Sequence, residues 1–378
     1  MRSELITDAL SRERLEQPWE ELASAAFAGN VFYEPWMAKA AMHLREAAGL
    51  TLLAVWQDDT ALAGILPLQT HTALDGRLRL GVQNWEQRVR TLGDPLIRAG
   101  CERAFWAAVL DLLDRSPGIG GFLRLSTLAA DSASTRALLA LLEEQGRRGY
   151  VTRRFERAQL LAGPDAQAYI AANIRKKVLK EQRRLRNRLA DEGPLQFDRL
   201  LPDGDAGAWA DELFRLEMTG WKGRDGVAAA ADPDAERAFR DVLCEAHRRG
   251  RLDFHRMRVG DRVVSMLANI ETGNRAIQLK IAYDEAYASF SPGVLLEMAY
   301  LEHALDVRKL DQVDSCARPG HPMIDRIWVD RLPIVSLAIP FDRVSSRLLC
   351  AGQDFVRRAR HRRSAAAIPE PPRLEAAE

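Results

Sequence analysis

The sequence lacks most features that mark secreted, metal-binding or membrane-spanning proteins. Its 378 residues include only four cysteines, which are far apart and form no CxxC pair. This argues against a disulfide framework and a structural zinc site, and without an HExxH motif we predict no bound metal. No apolar run approaches the roughly 18 residues of a membrane span, and the start, MRSELITDALSRERLEQ, has no signal-peptide core. We expect a cytoplasmic protein that at most contacts a membrane surface.

Charge of one sign is not in excess either, because 54 Lys and Arg residues are balanced by 53 Asp and Glu residues. Attraction to a polyanion must therefore come from local clusters of charge. What the chain does have is a hydrophobic fraction of 47%, which is ample for packed cores. Its length is roughly two to three times that of a typical domain, so we expect two domains.

Helix-like and strand-like segments alternate through residues 1–163, which is typical of an α/β domain. Residues 164–345 follow a similar order without a residue-level repeat. They contain a long helix over about 165–192, two further helices, a three-strand meander, a helix that begins at Ser291 and two final strands. Residues 346–378 are predicted to form a basic helix and a disordered tail rich in Ala, Pro and Glu.

The segment KIAYDEAYASFSPGVLLEMAYLEHAL, residues 280–305, runs from a strand through a short turn into a helix. Ser291 is a favourable N-cap, Pro292 suits the first helical position, and Gly293 allows a ligand to approach the backbone. The free N–H groups and the positive end of the helix dipole would favour an anion such as a phosphate. The alternative is that these residues simply start a helix.

Two stretches together carry a family resemblance: EMTGWKG at 217–223 and, after the meander, KIAYDEAYASFSPG at 280–293. The combination resembles the acetyltransferase domain of the CelD/BioF2-like family in the Gcn5-related N-acetyltransferase (GNAT) superfamily, which is similar in plan to the Fem aminoacyltransferases. The resemblance spans about residues 165–340. It departs from the usual pyrophosphate loop, Q/R-x-x-G-x-G/A, because ASFSPG occupies that position.

The resemblance implies a mixed α/β fold with tandem GNAT-like domains, in which helices flank mixed central sheets. Two central strands should diverge to admit the pantetheine arm of acyl-CoA, and the pyrophosphate should bind at the start of the following helix. The implied cofactor-binding residues are Ser291, Pro292, Gly293, Val294 and Leu295. We predict that residues 1–163 are a degenerate copy without a working cofactor loop, because they contain no comparable helix start.

The implied reaction is acyl transfer from acyl-CoA to an amine or hydroxyl, and the family suggests a cell-envelope or polysaccharide precursor as acceptor. Two alternatives stay open: Fem-like transfer from aminoacyl-tRNA, and a non-catalytic scaffold that binds polyanions. Nucleic acid is the less favoured partner, and peripheral membrane contact remains an option.

Catalysis would need a base for the acceptor proton and a donor for the developing oxyanion. We place Glu217 and Lys280 nearest the cleft, with an internal ion pair as the equally weighted alternative. Asp314 and His321 are candidate general bases on the second wall of the cleft. The candidate substrate-binding residues beside them are Trp221, Lys222 and Tyr283.

A basic run, NIRKKVLKEQRRLRNRL at 173–189, concentrates positive charge on a predicted helix. A solvated surface is the ordinary interpretation. A functional interpretation assigns Lys176, Lys177 and Arg183 to phosphates of the acceptor, of an anionic lipid surface or of RNA. The second basic cluster, RRARHRR at 357–363, would suit a position beside a membrane.

Overall fold

A computed structural model describes residues 1–26, 30–73, 78–116, 118–163 and 165–343. In this part of the chain thirteen strands form one mixed sheet. The strands are β1 (Arg2–Ile6), β2 (Thr51–Trp56), β3 (Leu62–Ala73), β4 (Leu78–Asn84), β5 (Leu96–Ile97), β6 (Phe122–Ala129), β7 (Tyr150–Leu161), β8 (Leu195–Arg199), β9 (Leu252–Val259), β10 (Arg262–Thr272), β11 (Arg275–Tyr283), β12 (Gln312–Asp314) and β13 (Asp330–Pro340).

Ten α-helices accompany these strands within the described residues. They are α1 (Ala9–Ala25), α2 (Pro35–Ala41), α3 (Glu102–Arg115), α4 (Ala133–Glu144), α5 (Ala166–Asn173), α6 (Lys176–Asp191), α7 (Ala206–Thr219), α8 (Trp221–Arg224), α9 (Pro233–Arg248) and α10 (Pro292–Glu302). The predicted mixed α/β class, with a large mixed sheet flanked by helices, is confirmed. None of the described helices is long and apolar enough to cross a bilayer.

The two halves of the chain exchange strands at the centre of the sheet. The strand order is β1-β2-β3-β4-β6-β13-β7-β12-β11-β10-β9-β8, with β5 on β3. The last strand of the described residues, β13, therefore lies between β6 and β7, and β7 in turn pairs with β12. The predicted boundary between residues 163 and 164 stays a prediction, and strands from both sides of it are hydrogen-bonded into one sheet.

The predicted meander is confirmed as β9, β10 and β11, and its turns contain Gly260 and Gly273 at φ +56° and +59°. The single long helix predicted over about 165–192 is wrong, because the chain forms α5 and α6 with Ile174 and Arg175 extended between them. Ile174 is buried in the same hydrophobic core as Leu295 and Leu296 of α10, and burial of this side chain outweighs helical continuity. The predicted basic helix and tail, 346–378, lie outside the described residues.

Candidate active site

A cleft begins where two parallel strands part. β11 and β12 pair only from Arg275 with Gln312 to Ile277 with Asp314. β12 then ends, whereas β11 continues to Tyr283. The register between β10 and β11 shifts at the same level, so Leu279 is an extra residue in β11, and such bulges bend a strand away from its neighbour. The edge of β11 beyond Ile277 is consequently not paired with β12.

A cavity of about 400 Å³ lies beside this stretch of β11, between α7, α8 and the loop that follows β12. The structure brings five of the predicted site residues to its wall: Glu217, Trp221, Lys222, Tyr283 and His321. Trp221 is 38% exposed, so it is available to a ligand rather than buried in the core. The cavity is thus lined by residues that the sequence had placed at the cleft.

Glu217 is the centre of a buried ionic group. It is 2% exposed, and its carboxylate accepts hydrogen bonds from Lys280 Nζ at 2.9 Å, Lys222 Nζ at 2.8 Å and the Ala229 N–H at 3.1 Å. Burial would raise the pKa of Glu217, but the two lysines outweigh it and hold the pKa below its ordinary value. A carboxylate so fully bonded is a poor proton acceptor, which supports the ion-pair interpretation.

The lysines of this group differ in exposure. The Lys280 side chain is 10% exposed and its Nζ lies 4.1 Å from the centre of the Phe239 ring. Burial lowers the pKa of Lys280 despite the opposing effect of Glu217. Lys222 is 26% exposed and also donates to the Ile281 carbonyl at 2.8 Å. Lys222 is therefore the member that a bound substrate reaches most readily.

His321 is the candidate general base from the sequence prediction that lines this cavity. Burial lowers its pKa, Arg318 and Lys222 add to that effect, and Asp325 opposes it. Its Nδ1 accepts a long hydrogen bond, 3.5 Å, from the Ile324 N–H. A half-buried, neutral imidazole is suited to accept a proton near pH 7.

Asp314 is not brought to this cavity. It is buried, forms an ion pair with the buried Arg157 of β7, and accepts a hydrogen bond from the Cys316 N–H at 2.9 Å. Cys316 is held by a hydrogen bond from the Thr91 hydroxyl, and burial raises the pKa of its thiol to about 12. Asp314 is therefore placed as a structural residue, because its ion pair with Arg157 joins β12 to β7.

The start of α10 lies against the same cavity. Ser291 is the N-cap, in the left-handed conformation at φ +52°, but its hydroxyl makes no capping hydrogen bond. A Cβ added to Gly293 would lie 3.3 Å from Met323 Sδ and 3.7 Å from Ile281 and Tyr283 carbon atoms. The N–H groups of Val294 and Leu295 point back to the Ser291 carbonyl at 3.0 and 3.2 Å. A side chain at position 293 would thus crowd residues of the cavity wall.

The two acids before α10 stabilise the local structure. Asp284 caps the 3-10 turn Glu285–Phe290 by accepting from the Ala286 N–H, and it pairs with Arg262. Glu285 accepts from the Trp221 N–H at 2.6 Å and pairs with Arg224. Asp284 therefore caps the turn, whereas Glu285 fixes the start of α8.

The basic helix α6 packs against the turn Glu285–Phe290 and against α10. The guanidinium of Arg188 lies 5.4 Å from the centre of the Phe290 ring, immediately before Ser291. The three residues predicted to bind phosphates, Lys176, Lys177 and Arg183, are exposed. Positive charge is therefore available on the surface next to the start of α10.

Sequence reasoning missed Glu297 of α10, which is fully buried. It accepts a hydrogen bond from the side chain of Gln278, the first residue of β11 beyond the pairing with β12. Burial raises the pKa of Glu297 to about 8, so the carboxyl is largely protonated at neutral pH. The only sequence signal was a single acid inside the apolar run VLLEMAYL.

Residues 1–163 contain a comparable pair of parallel strands, but hydrogen bonds from a side chain of the same half bridge the point where the two strands part. β4 and β6 pair at Val82 with Leu123 and Gln83 with Arg124. Beyond this point the Asn84 side chain donates to the carbonyls of Gly93 and Ser126 and accepts from the Ser126 N–H. This bridging supports the prediction that residues 1–163 lack a working cofactor loop, which stays a prediction.

The divergence of β11 from β12 beside the start of α10 agrees with the strand arrangement that the resemblance to the GNAT superfamily implies. Residues 176–319 match the family model described as an acetyltransferase (GNAT) domain, which confirms the resemblance seen in the sequence. A search of curated proteins finds no match.

Solved structures of similar fold cover nearly the whole chain. FemX aligns with a TM-score of 0.53 and 10% identity, covering 89% of this chain and 97% of that one. The C-terminal domain of a putative lysylphosphatidylglycerol synthetase from Agrobacterium fabrum aligns with a TM-score of 0.51 and 11% identity, covering 89% and 95%. L-PGS from Bacillus licheniformis has the same TM-score and coverage, with 14% identity. At these identities the likeness concerns the fold alone.

Proposed function

We propose that this protein transfers an acyl group from acyl-CoA to an amine or hydroxyl of a small-molecule or glycan-precursor acceptor. The observation that carries the proposal is the parting of β11 from β12 directly beside the start of α10. An unpaired strand edge can hydrogen-bond the amides of an extended pantetheine arm. The positive end of the dipole at the start of α10, an 11-residue helix, favours a pyrophosphate.

In this mechanism the acceptor enters the cavity between α7, α8 and the loop after β12. Its nitrogen or oxygen attacks the thioester carbonyl, the new C–N or C–O bond forms, and the C–S bond breaks. His321 accepts the proton of the acceptor, and the proton passes to the CoA thiolate. The proposed catalytic part of Glu217 and Lys280 is indirect, because their ionic group positions Lys222 at the cavity wall.

Fem-like transfer from aminoacyl-tRNA is the second candidate. It is favoured by the exposed basic surface of α6, which lies beside the start of α10, and by the fold shared with FemX. The same surface would equally serve a phosphorylated acceptor of the first reaction. The donor therefore has to be decided by experiment.

The test combines CoA calorimetry with a thiol-release assay in which acetyl-CoA and longer acyl-CoAs are offered to a panel of amines and sugars. We expect CoA to bind and thiol release to depend on an acceptor. Gly293→Val should abolish CoA binding in a folded protein, because the branched side chain fills the space beside Met323 and Tyr283. Gly163→Val is the matched control, since the nearest atom to a Cβ there is 4.0 Å away.

Three outcomes would contradict the proposal. If a folded Gly293→Val protein binds CoA like the wild type, the start of α10 is not the phosphate site. Retention of aminoacyl-tRNA with transfer of its amino acid, and no use of acyl-CoA, would establish the second candidate. Polyanion binding without turnover of either donor would indicate a scaffold.

A further inference from the structure

Three side chains with metal-binding atoms meet on the sheet beneath the C-terminal end of α10. Asp253 and His255 lie two residues apart on β9 and project from the same face. His303 follows α10 directly and begins a π-helical turn, His303–Val307. The ligand atoms of the three residues all lie within 4.8 Å of one another. π-Helical turns are rare and often occur at functional sites.

The polar atoms of this cluster lack the partners that burial normally demands. The Asp253 side chain is 4% exposed, yet neither of its carboxylate oxygens has a hydrogen bond. The Nε2 atoms of His255 and His303 are likewise buried without a hydrogen bond. Buried polar groups in native proteins are nearly always satisfied by protein, water or an ion. One group bound by all three residues would therefore satisfy these unpartnered atoms.

The separation between His303 and Asp253 has the spacing of two ligands on one cation, whereas His255 lies at an ion-pair distance from Asp253 and has to move slightly away when an ion enters. His255 Nε2 lies 2.9 Å from Asp253 Oδ1, and His303 Nε2 lies 3.5 Å from Asp253 Oδ2, but neither contact has hydrogen-bond geometry. Ligands about 2.0 to 2.2 Å from a tetrahedral ion are separated by about 3.3 to 3.6 Å. Two imidazoles and one carboxylate are a common ligand set for a divalent transition metal.

We propose that Asp253, His255 and His303 bind one divalent transition-metal ion, with Zn²⁺ the best match to this ligand set. Arg199, whose Nε lies 3.6 Å from Asp253 Oδ1, is 40% exposed and can swing into solvent when the ion enters. The ion ties β9 to the end of α10, the helix whose start faces the candidate acyl-CoA cleft. Its bound form thus restrains α10 against the sheet.

The test uses the full chain, freed of metal with a chelator and titrated with Zn²⁺ and with Co²⁺. We expect one equivalent of either ion per chain, a rise in Tm with metal, and the visible absorption of four- or five-coordinate Co²⁺. His303→Gln should weaken binding by more than the roughly 10- to 100-fold typical of outer-shell changes. The exposed His43 provides the control variant His43→Gln, which should bind like the wild type.

Asp253→Asn provides a second ligand variant in case His303→Gln does not fold. Circular dichroism of the metal-free proteins establishes that each variant is folded. Absence of saturable Zn²⁺ and Co²⁺ binding in the folded wild type would overturn the proposal. Binding that persists unchanged in a folded His303→Gln or Asp253→Asn protein would also overturn it, because the ion would then be held elsewhere.

Discussion

Replacement of Glu297 by Gln should stabilise the protein relative to the wild type, and this difference should grow as the pH rises. Glu297 is fully buried, and burial raises its pKa from the ordinary 4.5 to about 8. Between these two values the unfolded chain ionises at this position while the folded protein keeps the proton. The folded state therefore loses stability relative to the unfolded state as the pH rises, and the loss is complete above the folded-state pKa.

The magnitude follows from the difference between the two pKa values. At about 1.4 kcal/mol for each unit of pKa difference, a change from 4.5 to about 8 amounts to about 5 kcal/mol at most. Gln has nearly the shape of the protonated acid and can still accept the hydrogen bond from Gln278. It does not ionise, so this pH-dependent cost is absent from the variant.

Urea unfolding of wild type and Glu297→Gln at intervals from pH 4.5 to 8.5 measures the effect. The difference in unfolding free energy should grow in favour of the variant by about 1.4 kcal/mol per pH unit through most of this range and level off near pH 8. Glu302→Gln, an exposed position at the end of the same helix, should follow the wild type. A difference between Glu297→Gln and wild type that is constant with pH would refute the reasoning.

Three further expectations concern the candidate site and its surroundings. Glu217→Gln should lower the free energy of unfolding by about 3 to 5 kcal/mol, because it leaves Lys280 and Lys222 without their carboxylate; a loss below about 1 kcal/mol in urea unfolding would contradict the buried ionic group. Replacing Lys176, Lys177 and Arg183 of the basic helix with Gln should raise the acceptor KM in a salt-dependent way and leave acyl-CoA binding unchanged. Calorimetry should give one CoA site per chain, and two equivalent sites would refute a degenerate first half.

Features with local causes were predictable from the sequence. The helix start at Ser291 and Pro292 depends on the conformational preferences of neighbouring residues, and α10 begins there. The meander followed from two glycine turns that separate β-rich segments. The residues around the cavity were also anticipated, because the motifs at 217–223 and 280–293 carry a family resemblance that includes the fold.

Features that depend on burial and on distant partners were not predictable. The predicted continuous helix over 165–192 is interrupted where Ile174 is buried in a core shared with α10, and no local pattern contains that burial. Asp314 was a plausible base by sequence, but the fold places it beside Arg157, which lies 157 positions earlier in the chain. Its ion pair exists only after β7 and β12 have become neighbours in the sheet.

The sequence by itself thus predicted the start of α10, the meander and five of the side chains that line the candidate cavity. Only the tertiary structure decided that β13 pairs with strands of the first half, that Glu297 is buried, and that His303 lies beside Asp253 and His255. The physical reason is that helix starts and turns depend on a few adjacent residues. Strand pairing, desolvation and shared ligand sets depend on which distant segments the packed chain brings together.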